Sequence, residues 1–129
     1  MTHKVLIANR GEIAVRIQRA CRKLGLPHVQ VCSEADLPAR YVQEADAFIC
    51  VGPAKASKSY LDMSCLIYAA HATGATMIHP GYGFLSENAR FAAEIEAEGL
   101  ILVGPTSTAI ESMGNKVRAR QTMIEAGVP

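Results

Sequence analysis

The chain has 129 residues, half of them hydrophobic and 19% charged, with 13 Lys and Arg against 12 Asp and Glu. That length suits one domain and that composition buries a core, which excludes a disordered tail. A formal net charge of +1, four Tyr, three Phe and no Trp exclude the basic, aromatic-rich surface of a nucleic-acid binder.

No apolar run approaches the roughly 20 residues of a membrane span, so no membrane partner is expected. The first nine residues hold one basic side chain, Lys4, and too short an apolar run for a secretory leader, so a cytoplasmic setting is the default. Cys21, Cys32, Cys50 and Cys65 lack C-x-x-C spacing and are read as small buried hydrophobes, not as zinc ligands or disulfides.

In chain order, residues 4–8 read as a short strand, apolar on both faces. The segment I-A-N-R-G-E-I-A, Ile7 to Ala14, carries it into a helix over 12–24 with Ile13, Ile17, Ala20 and Leu24 on its apolar face. Gly11 permits a tight turn, and the helix start offers N–H groups to a phosphate or carboxylate. A plain strand-to-helix turn explains the same residues, because one glycine is not the G-x-G-x-x-G of a dinucleotide site. Glu12, Arg16, Arg19 and Lys23 share another face, where Glu12 is placed to pair with Arg16 while Arg19 and Lys23 repel.

Strands follow over 29–32 and 47–51. The segment G-P-A-K-A-S-K-S-Y-L, 52–61, lacks the spacing of a phosphate-binding loop, and Ser59 reads as the cap of a helix over 60–73. A fourth strand, 75–78, leads into H-P-G-Y-G-F-L-S-E-N, 79–88. Gly81 and Gly83 let backbone approach a ligand, Tyr82 and Phe84 stand out in a chain poor in aromatics, and His79 helps shape the loop. Ser86 is the expected cap of a helix over 88–98, with Glu87 in its first turn. A structural turn, with Phe84 and Leu85 stapling that helix, accounts for the motif equally well.

A fifth strand, 100–103, precedes helices over 106–113 and 115–126. Asn115 is a candidate cap, and Lys116 would oppose the helix dipole unless a phosphate lay nearby. The ending A-G-V-P is a helix stop and raises the expectation of a piece of a longer protein. His3, His28 and His71 show no metal spacing and read as surface or packing residues.

Strands alternating with helices imply right-handed crossovers. The fold expected is therefore α/β: a Rossmann-like, doubly wound, mostly parallel sheet of about five strands. Such sheets take ligands outside the carboxyl ends of their strands. The loops there are 9–11, 33–36, 52–59, 79–87 and 104–107.

These motifs also occur together in a telling order. I-A-N-R-G-E-I-A, then S-Y-L, H-P-G-Y-G-F-L-S-E-N and M-G-N-K resemble the N-terminal domain of biotin carboxylase, from about Lys4 to Pro129. The resemblance implies that 1–129 is this pre-ATP-grasp domain, with the ATP-grasp and C-terminal domains outside the chain. It implies an ATP-dependent ligase that activates bicarbonate as carboxyphosphate and carboxylates biotin on a carrier domain. The implied partners are that biotin carboxyl carrier domain, a carboxyltransferase and, in the complete enzyme, a second copy in a homodimer. ATP, Mg2+ and biotin are the cofactors implied for the complete enzyme, with none held tightly by 1–129. No catalytic residue and no metal ligand is expected in 1–129, and the isolated chain is expected to be inactive.

By the same resemblance, Lys116 matches a lysine on the nucleotide phosphates. Tyr82 and Gly83 match the loop facing the carboxylation site and biotin, and Glu87 matches a glutamate near it. Arg16 and Arg19 match the dimer contact. The location implied is cytoplasmic, or the mitochondrial matrix in a eukaryote. Asn115 stands where Asp is usual, Ala56 where Ser is common, and Lys23 where some bacterial members have Glu. The rival readings are another ATP-grasp ligase, opposed by the full 79–88 motif, and a stand-alone, non-catalytic binding or assembly module. A dinucleotide oxidoreductase is opposed by the missing glycines and by the lack of a clearly placed acid after the second strand.

Overall fold

The computed structural model describes residues 3–114, 120 and 123–127. Among them the strands are β1 (Val5–Ile7), β2 (His28–Ser33), β3 (Phe48–Gly52), β4 (Met77–His79) and β5 (Ile101–Leu102). They form one sheet, every neighbouring pair parallel, in the order β3-β2-β1-β4-β5. The helices are α1 (Gly11–Leu24), α2 (Arg40–Gln43), α3 (Met63–Thr73), α4 (Ala89–Ala97) and α5 (Ser107–Gly114).

The double winding follows from the side-chain alternation of β1. Val5 and Ile7 point to one face of the sheet and Leu6 and Ala8 to the other. The first pair packs with Ala14, Ile17 and Cys21 of α1 and with Tyr41 and Val42 of α2. The second joins Leu66 and Ile67 of α3 and Phe91 and Ile95 of α4. Phe91 is fully buried there, and truncating such a side chain to Ala costs about 3–5 kcal/mol. The chain starts in the middle strand, winds out to β3, then crosses back to β4. Neighbouring β1 and β4 thus lead into connections that leave in opposite directions, and a crevice opens at their carboxyl ends.

The five expected strands and four of the expected helices form, with bounds shifted by up to three residues. The helix expected over 115–126 falls largely outside the described residues, as does Lys116. Helix α2 has four residues, too few to leave a periodic signal in sequence. Because so short a helix covers little of edge strand β3, Phe48 stays 47% exposed and Cys50 is exposed too. Only Cys21 and Cys32 are buried as expected; Cys65 is half-buried.

Of the three helix caps read from sequence, Asn115 lies outside the described residues and the other two shift by two or three residues. At α3 the Asp62 carboxylate accepts from the Cys65 N–H at 3.1 Å. Ser59 instead ends a 3-10 turn, its N–H donating to the Ala56 carbonyl at 3.1 Å and its hydroxyl to the Lys55 carbonyl at 2.9 Å. At α4 the cap is Asn88, whose Oδ1 accepts from the Phe91 N–H at 3.0 Å. The Ser86 N–H closes the preceding turn onto the Gly83 carbonyl, and Glu87 therefore lies before the helix. His28 is a packing residue, as expected: its Nε2 accepts from the Asp46 N–H at 3.2 Å, and burial holds its pKa below the usual imidazole value.

Candidate functional site

Two loops leave the carboxyl edge at the β1/β4 crevice, 8–10 after β1 and 80–88 after β4. The first is built around Asn9, 2% exposed at the end of β1. Its Nδ2 donates to the Pro80 and Tyr82 carbonyls, each at 2.8 Å, and its Oδ1 accepts from the Arg10 N–H at 2.8 Å. One side chain therefore ties the first loop to the second. His79 adds an internal tie, its Nδ1 accepting from the Gly81 N–H at 3.0 Å. Burial holds His79 below the usual imidazole pKa, which favours the neutral ring this bond requires.

Backbone shape completes the loop. Gly81 and Gly83 have φ of 65° and 71°, and Phe84 is a non-glycine residue at φ 43°. A Cβ on Gly81 would meet Asn9 Nδ2 and Ile13 Cγ2, each at 2.8 Å. A Cβ on Gly83 would meet nothing within 4 Å. The close-approach glycine within this chain is therefore Gly81, and Gly83 is required only for its left-handed φ. Phe84 stacks on Tyr60 at 5.4 Å between ring centroids instead of stapling α4, while Leu85 is buried in the core. Tyr82, between the glycines, is 73% exposed.

A second polar centre braces Tyr60. The Asp36 carboxylate accepts from the Tyr41 hydroxyl at 2.6 Å and the Tyr60 hydroxyl at 2.9 Å, and forms a bidentate pair with Arg10 at 2.8 and 2.9 Å. The Tyr60 oxygen also accepts from the Ser33 N–H at 2.9 Å, and the Arg10 guanidinium lies 5.7 Å from the Tyr60 ring. Burial works to raise the Asp36 pKa, but the two hydroxyls and Arg10 outweigh it and the net shift is downward. Burial, then the bond to Asp36, pushes the Tyr41 hydroxyl far up, so it stays a donor. Asp36 thus is an acid shortly after β2, which the sequence reading did not recognise. It is committed to partners within the chain, not offered to a ribose.

The sequence-selected residues fall into two groups. Tyr82 and Gly81 line a groove of about 1160 Å³ whose other wall is the α1 face of Glu12, Arg16 and Arg19, with Arg40 and Glu44 beyond. The loop and the basic helix face, read separately in sequence, are thus one surface. Gly83 and Glu87 are exposed and do not line it. The expected Glu12–Arg16 pair does not form; among the described residues, α1 makes an ion pair through Arg22 to Asp46 at 3.1 Å. Among the described residues, no group of three or more His, Cys, Asp or Glu is placed to hold a metal ion. Nor is any helix among them long and apolar enough to cross a membrane. Sequence reasoning also missed Gln18 and Gln30, buried polar side chains on an apolar helix face and in a central strand, whose only signal was polarity at core positions.

A parallel, doubly wound domain with a glycine loop at its switch point belongs to the class of open α/β folds whose ligands lie outside the carboxyl ends of the strands. Within that class the chain belongs to the biotin carboxylase family: the signature described as "Biotin carboxylase, N-terminal domain" matches residues 1–110. The chain is 56% identical over 129 residues to the biotin carboxylase of Pseudomonas aeruginosa and 54% identical to biotin carboxylase 1 of Bacillus subtilis. All of this chain aligns with each, but it spans only 29% of their length. The crystal structure of the biotin carboxylase subunit of pyruvate carboxylase superposes with a TM-score of 0.93 at 48% identity, covering all of this chain and 28% of that one. The biotin carboxylase domain of a thermophilic 2-oxoglutarate carboxylase, bound to bicarbonate, gives 0.94 at 44% identity, with 29% of its chain covered.

Proposed function

We propose that this chain serves an ATP-dependent carboxylation of biotin, as the domain that presents the 79–88 loop to the carboxylation site. The observation that carries the proposal is that loop. It is braced from beneath by Asn9, His79 and Tyr60, yet it projects Tyr82 and Gly83 outward at the edge where such sheets bind ligands. Rigid support under an exposed aromatic suits a ligand with a planar polar ring such as the ureido ring of biotin, because the ordering cost is met before binding.

In this reading, ATP and bicarbonate give ADP and carboxyphosphate, and the carboxyl group passes to a ureido nitrogen of biotin on a carrier domain, the phosphate leaving with the proton that nitrogen loses. Tyr82 and Gly83 face the biotin ring, with Glu87 beside them. Lys116 takes the nucleotide phosphates, and Mg2+ is held by residues outside 1–129. Arg16 and Arg19 meet a second copy, and a carboxyltransferase uses the product. The setting is the cytoplasm, or the mitochondrial matrix in a eukaryote.

The test is a chimera in which this chain replaces the matching residues of the Pseudomonas aeruginosa carboxylase. ATP cleavage dependent on biotin and bicarbonate is expected from the chimera and not from the 129-residue chain alone. Lys116→Gln should raise the chimera's KM for ATP. A folded chimera without biotin-dependent turnover would overturn the reading.

A further inference from the structure

We infer that Asn9 is a positioning residue for the ligand-facing loop: its amide fixes the Pro80 and Tyr82 carbonyls and so sets the direction in which Tyr82 and Gly83 meet their ligand. The inference rests on the role given to that loop above.

Asn9 is held more tightly than packing alone requires. Both its amide hydrogens are used on carbonyls that flank Gly81, and its Oδ1 is used by the Arg10 N–H. Its own carbonyl accepts from Gln30 Nε2 at 2.6 Å. The Gln30 Oε1 accepts from Gln18 Nε2 at 2.9 Å, and Gln18 donates also to the Tyr41 carbonyl at 2.7 Å. Asn9, Gln18 and Gln30 are 2%, 1% and 0% exposed. A buried chain of bonds thus runs from α2 through α1 and β2 to the loop: Gln18 orients the Gln30 amide, and Gln30 holds the main chain at Asn9.

The chemistry at position 9 is narrow. Two donors are needed on one short side chain. Asp offers none when ionised, Ser offers one, and Gln is a methylene longer in a space already closed by Gly81. A leucine would fill the volume and leave both carbonyls to turn toward other partners. Since these carbonyls bracket the φ 65° turn at Gly81, their turning would swing Tyr82.

The experiment uses the chimera and the chain itself. Asn9→Ala is compared with Ile95→Val, a core change on the other face of the sheet. Expected is a rise of about tenfold or more in the KM for free biotin, the loss of roughly one hydrogen bond or more, with the KM for ATP within about twofold. Ile95→Val should move neither constant. In the 129-residue chain, the same Asn9 change should shift the amide NMR resonances of Tyr82 and Gly83. If Asn9→Ala does not fold, Asn9→Ser, which keeps one donor, should give a smaller rise of the same kind. Biotin and ATP constants that weaken in equal proportion, or stay within about twofold, would overturn the inference. If the unsubstituted chimera does not use biotin, the loop's role fails, and the resonances still decide the matter for Asn9: unshifted, they overturn it.

Discussion

The loop after β4 and the outer face of α1 border one groove and are built in opposite ways. The loop is tied down by Asn9, His79 and the Tyr60–Phe84 stack, so its shape belongs to this chain alone. Arg16 and Arg19 on α1 are exposed and make no ion pair among the described residues. A surface whose shape is fixed in advance suits a small ligand, because little order remains to be imposed on binding. Free arginines on a helix suit a macromolecular partner, which supplies the missing carboxylates or carbonyls itself.

The largest expected effect separates the two glycines of the loop. Gly81→Val places a side chain against Asn9 and Ile13 and forces a branched residue to φ 65°. Overpacking and left-handed strain together should cost about 2–5 kcal/mol in urea unfolding. Gly83→Ala meets open space and should cost only the strain, about 1–2 kcal/mol. Equal losses at the two sites would mean that the loop is not anchored through Asn9.

Next in size is Tyr60→Phe. It keeps the ring stack on Phe84 but leaves the buried Ser33 N–H without its acceptor and takes one donor from Asp36. A loss of about 1–3 kcal/mol is expected. The Asp36 carboxyl should titrate higher in the variant by NMR, since one of the hydroxyls that lower its pKa is gone.

The pH dependence is smaller and has a definite sign. Folding lowers the pKa of both His28 and His79 from the ordinary 6.5, so the fold favours their neutral forms. Their contribution is complete above pH 6.5 and is lost as pH falls below it. The urea midpoint should decline between about pH 6.5 and 5, and the Gly81 amide resonance should move as His79 gains a proton on Nδ1. A midpoint that rises through this range would reverse the assignment.

The smallest effect on the chain itself is expected at the helix face. Arg19→Glu should raise the urea stability of the 129-residue chain by no more than about 0.5 kcal/mol, because Arg19 makes no ion pair among the described residues and the change replaces its repulsion of Lys23 with an i,i+4 attraction. In the chimera it should shift sedimentation from dimer toward monomer. A midpoint that falls in the isolated chain would show that this face is tied down after all.

Strand–helix alternation fixed the class of fold before any contact was known, because strands covered on both faces leave short apolar runs and helices leave a 3.6-residue period. The 79–88 motif marked the loop for the same local reason: glycines and capping residues act on their own backbone. Local signals also misled by two or three residues. Ser59 and Ser86 satisfy the cap preference, but Asp62 and Asn88 stand where the tertiary structure starts the helices. What only the tertiary structure decided lies between residues distant in the chain. Asn9 meets Pro80 and Tyr82 across more than seventy positions, and Asp36 gathers Arg10, Tyr41 and Tyr60. Sequence spacing carries no record of such pairings, because parallel crossovers place β1 beside β4 through the packing of the sheet and not through any neighbour along the chain.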